Sequence, residues 1–139
     1  MNIIEKLLSK NSSDENKTAV SIGQCGEETA VKILKKNGYK ILDRNYRTKM
    51  GEIDIIAKDG EYTCFVEVKF RKNDDFGDPG DFIDERKRQK IIKTAQYYAV
   101  KNKIYDTPLR FDAVLINAET DGKKLINKKI QIIKNAFTL

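Results

Sequence analysis

From Gly51 to Arg71 the sequence reads as two apolar strands joined at Asp59-Gly60, and both strands carry ionisable residues near their middles. An Asp-Gly pair between alternating apolar runs signals a β-hairpin, because a type I′ turn needs positive φ at both central residues. With Asp59-Gly60 as the two-residue turn, Lys58 faces Glu61 and Asp54 faces Phe65. Side chains alternate along a strand, so Asp54, Phe65, Glu67 and Lys69 share one face. Ile53, Ile55, Val66, Val68 and Phe70 take the other. Asp54 and Glu67 are then diagonal neighbours, about 7–8 Å apart at Cα. Two carboxylates that close repel each other unless a cation stands between them. The competing reading is a cross-strand ion pair with Lys69 on a solvated sheet face.

The remaining chain alternates helical and strand patterns around this hairpin. Ile3, Ile4, Leu7 and Leu8 have helical spacing and predict a short helix over Asn2 to Lys10, followed by a polar run to Lys17. Residues 1–17 are therefore expected to be a short helix and linker ahead of one domain, 18–139. A helix beginning at Thr18 or Gly26 ends at Asn37, with Gly38 as its stop. Its buried face is Ala30, Val31, Ile33 and Leu34; on a helical wheel Glu27 falls toward that face and Glu28 away from it. Tyr39 to Tyr46 reads as a strand. After a charged loop, Asp81 or Asp84 can cap a helix over about Ile83 to Asn102. Its stripe is Ile91, Ile92, Ala95, Tyr98 and Ala99. Lys87 borders that stripe, and the neighbouring basic residues form a mostly solvated cationic face. Strands follow at Phe111 to Ile116 and Lys129 to Ile133, with a turn at Asp121-Gly122. This order predicts an α/β domain with a mixed central β-sheet flanked by helices, the long helix making a parallel crossover.

Composition narrows the chemistry. The chain has 139 residues, a formal net charge of +6 and no histidine. Positive charge favours polyanionic partners, nucleic acid before membrane. Without histidine there is no Ser-His-Asp or Cys-His scheme and no histidine-bound zinc. Carboxylates, Lys, Arg and Tyr are what catalysis can draw on. Cys25 and Cys64 lie far apart in no metal-like spacing, and free thiols suit a reducing cytoplasm. No apolar run approaches the length that spans a bilayer, so no membrane association is expected.

The spacing Asp54, then Glu67-Val68-Lys69, with twelve residues between the acids, resembles the pattern of the PD-(D/E)xK nuclease superfamily. More closely, the chain resembles the YraN-type family of uncharacterised bacterial proteins with a restriction-endonuclease-like fold. The resemblance rests on Gly26-Glu27-x-x-Ala30, Gly38-Tyr39, Arg44-Asn45-Tyr46-Arg47, Gly51 through Ala57, Phe65 through Lys69, Lys87, Ala95, Arg110-Phe111-Asp112 and Asn135-Ala136-Phe137, and it extends over about Gly23 to Phe137. It implies a nuclease-like core in which Asp54, Glu67 and the Val68 carbonyl hold Mg²⁺ or Mn²⁺. Lys69 would act on the attacking water or on the phosphate charge. Glu27 matches an additional helix acid of junction-resolving relatives. Ile53 stands where the superfamily's name has proline. Arg47, Arg71 and Lys87 are candidates for binding substrate phosphates, and Arg110 with Asp112 for a structural ion pair beside the site.

Two functions follow from these readings. The first is a metal-dependent endonuclease or junction resolvase hydrolysing DNA phosphodiesters. The second is a non-catalytic nucleic-acid-binding accessory protein in repair or recombination. A homodimer is left open as the way such a domain spans two strands. A protein-interaction adaptor built on the first helix is a third, weaker alternative.

Overall fold

The computed structural model describes residues 13–72, 83–122 and 124–138. Helix α1 (Ser13–Lys36) leads into strands β1 (Lys40–Thr48), β2 (Gly51–Asp59) and β3 (Tyr62–Lys72). Helix α2 (Glu85–Lys101) then leads to β4 (Leu109–Asp121) and β5 (Lys124–Phe137). The five strands form one sheet in the order β1-β2-β3-β4-β5. All neighbours are antiparallel except β3 and β4, which α2 joins as parallel strands. The mixed sheet and its parallel crossover are as expected from the alternation of periodicities.

One helix covers each face. On the first, Ala30, Val31 and Leu34 of α1 pack with Ile55, Cys64, Val66, Val68, Val114 and Ile116. On the second, Ile91, Ile92 and Ala95 of α2 pack with Ile53, Ile56, Phe65, Phe111, Ala113 and Phe137. The strands are apolar on both faces because both are covered. Helix α1 ends as its sequence predicts: Gly38 takes φ 87°, the Tyr39 N–H donates to Leu34 O and the Gly38 N–H to Lys35 O. This is the Schellman arrangement that glycine makes cheap.

Four expectations need correcting. The hairpin turn is Gly60-Glu61, since Asp59 pairs with Tyr62 and Ile55 with Val66. Only Gly60 needs positive φ there, as in a type II′ turn. Asp59 stays in the strand because its carboxylate is held by Arg110 at 2.6 Å and Lys134 at 3.0 Å. Continuing that register, Asp54 stands directly opposite Glu67 rather than diagonal to it. The shared face survives, because the shift preserves the alternation. Second, Ile53 belongs to the α2 side with Ile56. The β2–β3 ladder stops at Ile55 and Val66, so beyond it β2 keeps its pairing with β1 alone and the alternation expected from the hairpin no longer fixes its faces. Third, β4 and β5 are far longer than the two short runs predicted. The lysine-rich stretch before Ile130 is an exposed edge strand, and lysines on an edge block pairing with another chain. Fourth, α1 begins at Ser13, so the polar run is helical from there. The short helix expected over Asn2 to Lys10 and the capping alternative at Asp81 lie outside the described residues.

Candidate active site

Asp54 and Glu67 come together under α2. They are 7% and 5% exposed, which removes the reading of an ion pair on a solvated face. The β2–β3 pairing ends at Ile55 and Val66, and the Val68 N–H donates to Asp54 Oδ2 at 2.8 Å. The carboxylate thus takes the place of a ladder carbonyl. Burial first, then the charge of Glu67, push the Asp54 carboxyl well above the usual carboxylate range; the Val68 N–H and Lys87 pull it down.

Lys87 reaches this pair from the first turn of α2. The helix starts at Asp84, whose side chain accepts from the Lys87 N–H at 2.8 Å. This cap fixes the Lys87 backbone where its side chain meets Glu67. Lys87 Nζ lies 2.6 Å from Glu67 Oε1, yet that oxygen is buried without a hydrogen bond. The ammonium is close but outside hydrogen-bonding angles. We read it as a charge pair rather than an aligned hydrogen bond.

The other candidate residues divide. Lys69 follows Glu67 on the same face, half-buried and opposite Leu115. Arg71 is half-buried near the end of β3, opposite Asn117. Glu27 faces inward and Glu28 outward as the helical wheel requires, but both meet Arg44, at 3.8 Å and 2.8 Å. Among the described residues no three acids cluster as metal ligands, so Glu27 does not join Asp54 and Glu67. Arg47 is exposed and paired with Glu52 at 3.2 Å. Arg110 and Asp112 are an ion pair, at 2.9 Å, but on the α1 face with Tyr39 rather than beside the acids.

A cleft of about 310 Å³ opens next to Lys87, lined by Arg47, Thr48, Gly51, Glu52, Lys87 and Lys90. It forms where the β1–β2 turn approaches α2. A Cβ on Gly51 would stand 3.1 Å from Thr94 Oγ1 and 3.3 Å from Lys90 Cβ, so a larger residue would press the strand away from the helix by a few tenths of an ångström. Thr94, absent from the predicted stripe, is fully buried there and donates to Lys90 O at 2.8 Å. Glu52, Lys90 and Thr94 were not singled out by sequence reasoning. The glycine opening β2 was the available signal that the helix above it would be close.

A model of the uncharacterised protein family UPF0102 matches residues 26–116. The chain belongs to this family. A UPF0102 protein of Acetivibrio thermocellus is 44% identical over 130 residues, covering 93% of this chain and 98% of its own length. One of Clostridioides difficile is 47% identical over 115 residues, 83% of this chain and 95% of the relative. One of Persephonella marina is 44% identical over 117 residues, 84% and 93%. The family-level resemblance seen in the sequence is therefore borne out. The matched span holds Glu27, Asp54, Glu67, Lys69 and Lys87 together with the cleft. Among the described residues, no helix is long and apolar enough to cross a membrane.

The donor set fits a hard divalent cation. Mg²⁺ is commonly held by one or two carboxylates, with substrate phosphate and water filling the other positions. Asp54 retains Oδ1, Glu67 offers Oε1 beside the Lys87 ammonium, and Val68, next in sequence after Glu67, offers a carbonyl. All three are oxygen donors.

Proposed function

We propose that the protein is a divalent-cation-dependent endonuclease with a restriction-endonuclease-like core, acting on DNA in the cytoplasm, with branched junctions among its substrates. The observation that carries this reading is the buried Asp54–Glu67 pair, with Oε1 of Glu67 left without a hydrogen bond. Burying two like charges side by side is costly, and a site that receives a cation gives that cost a use. Asp54, Glu67 and the Val68 carbonyl hold Mg²⁺ or Mn²⁺. The bound ion supplies Lewis-acid stabilisation of the phosphate charge and acidifies a water. Hydrolysis adds the water's hydroxyl to phosphorus and its proton to the departing oxygen as one P–O bond breaks. Lys69 orients the attacking water and meets the charge on the phosphate. Arg47, Lys87 and Arg71 steer and hold the backbone, consistent with the net charge of +6. The reading uses two carboxylates, and Glu27 stays with Arg44.

The test is incubation with Mg²⁺ or Mn²⁺ and a panel of duplex, single-stranded, flap and four-way-junction DNA, with RNA alongside. Cleavage is expected to need the metal and to fall by about 10³-fold or more in Asp54→Ala and Lys69→Ala, the scale at which loss of a central charged group acts. Cleavage that both substitutions leave intact sinks the reading.

The Lys87–Glu67 pair favours one second reading. With the ammonium 2.6 Å from Oε1, the site is partly neutralised without any metal, as a non-catalytic nucleic-acid-binding accessory protein would require. That protein binds the panel with salt-sensitive affinity and cuts none of it.

A further inference from the structure

We infer that Lys87 is a shared cation. Without a divalent ion it neutralises Glu67. When such an ion is held by Asp54 and Glu67, Lys87 turns into the adjoining cleft and binds a backbone phosphate with Arg47 and Lys90. This rests on the metal reading above and extends it: occupancy of the metal site and affinity for a phosphodiester become one linked equilibrium.

The geometry places Lys87 on both sites at once. Its Nζ is 2.6 Å from Glu67 Oε1, and its side chain also lines the cleft with Arg47 and Lys90. The lysine side chain is 23% exposed where that of Glu67 is 4%, so its outer end borders solvent while its partner does not. The Asp84 cap holds the Lys87 main chain, which leaves the flexible four-carbon stem to move. The Lys87 contact with Oε1 is a charge pair rather than an aligned hydrogen bond. A dication at Asp54 and Glu67 repels an ammonium a few ångströms away, and the cleft is the near place with room for it. Three cations against Glu52 make that cleft attractive to phosphate. Linkage then requires each ligand to tighten the other by the same factor.

The experiment reads binding, not turnover. Mn²⁺ affinity is measured without nucleic acid for wild type, Lys87→Met, Lys87→Arg and Lys90→Met. Affinity for a short duplex oligonucleotide is measured with and without Ca²⁺, and inorganic phosphate is titrated in parallel. Lys87→Met is expected to bind Mn²⁺ about tenfold more tightly than wild type, and Lys87→Arg, which keeps the charge, like wild type. The tightening of oligonucleotide binding by Ca²⁺ should shrink by about tenfold in Lys87→Met. In Lys90→Met it should persist while binding weakens at both Ca²⁺ levels. Unchanged Mn²⁺ affinity and unchanged linkage in Lys87→Met overturn the inference and leave the nuclease reading standing. Mn²⁺ binding by none of the proteins overturns both. Linkage reproduced in full by inorganic phosphate alone overturns the nucleic-acid part and assigns the cleft to free phosphate.

Discussion

Strand β2 carries two aspartates five residues apart, and they end in opposite kinds of cluster. Asp59 joins Arg110, Lys134, Asp112 and Tyr39 on the α1 face. There Arg110 bonds both Asp59 and Asp112, and Asp112 also accepts from the Tyr39 hydroxyl at 2.8 Å and from the Asn135 N–H at 2.9 Å. Asp54 joins Glu67 and Lys87 on the α2 face. There the Lys87 ammonium meets Glu67 at 2.6 Å, and Glu67 Oε1 has no aligned hydrogen bond. The residue types are nearly the same. In the first cluster donors and acceptors are matched, and such a network specifies the fold. In the second, a buried acceptor meets an ammonium with no aligned hydrogen bond. A buried acceptor without a directional bond is less well satisfied than a matched one, and under the proposed reading this is the face that takes the cation.

The sharpest way to break the contrast is to open the matched cluster. Asp112 is fully buried, and Asp112→Ala leaves the Arg110 guanidinium, the Tyr39 hydroxyl and the Asn135 N–H short of a partner. Removing one member of a buried ion pair costs about 3–5 kcal/mol, and urea unfolding should show a loss of that size. Mn²⁺ affinity, read on protein still folded without urea, should not change, because none of these residues touches Asp54 or Glu67.

Asp54→Asn probes the other cluster and should act in the opposite direction. The amide oxygen can still accept from the Val68 N–H, while the buried like-charge contact disappears. We expect a gain of about 1–2 kcal/mol in unfolding free energy at neutral pH, together with loss of Mn²⁺ binding. The pH dependence carries the sign. Because the folded-state pKa of Asp54 is raised by burial and by Glu67, its stabilising share is complete below the unfolded carboxylate value and is lost as pH rises through the higher folded value. The gap between Asp54→Asn and wild type should therefore widen on going from acid toward neutral pH. Asp59 behaves inversely. Arg110 holds its carboxyl below the usual range, so its stabilising share is complete above the unfolded value and fades as pH falls through the lower folded one. Asp59→Asn should match wild type most closely in strong acid and fall behind it as pH rises. Melting curves of both variants across that range test the two signs in one experiment.

Which features could be read from residues alone follows the same division. Periodicity revealed the two helices, the central strands and the shared face of Asp54, Glu67 and Lys69, because these are local or nearly local properties. The turn was misplaced by one residue because Asp59 answers to Arg110 and Lys134, which are 51 and 75 positions away in sequence. Strand β5 was underestimated because its outer residues are polar on a free edge, where no core imposes alternation. Its Asn127 and Asn135 also sit at positive φ and break the pattern. Arg110 and Asp112 were legible as a pair but not as belonging to the opposite face, since β4's alternation could not be phased against β3 before their register was known. Lys87 was legible only as a stripe-bordering cation; its meeting with Glu67 depends on how α2 crosses the sheet, and that is decided by Gly51 and Thr94.

The smallest effects make the finest comparison, and they come from two tyrosines. Tyr39 on the α1 face donates to Asp112 Oδ2 and accepts from Arg110 Nη2 at 3.1 Å. Tyr46 on the α2 face packs edge-on against Tyr98, with ring centroids 5.2 Å apart, and its hydroxyl is buried without a hydrogen bond. The same change, Tyr→Phe, removes one oxygen in each place. Tyr39→Phe loses a made bond in a charged network and should cost about 1 kcal/mol. Tyr46→Phe removes an unmatched polar atom while keeping the ring contact, so it should be neutral or stabilising by about 0.5 kcal/mol. Paired chemical-denaturation curves give both values. Equal losses at the two positions would mean that the α2 face is as fully matched as the α1 face, and the distinction between a face that specifies the fold and a face that waits for a ligand would fail.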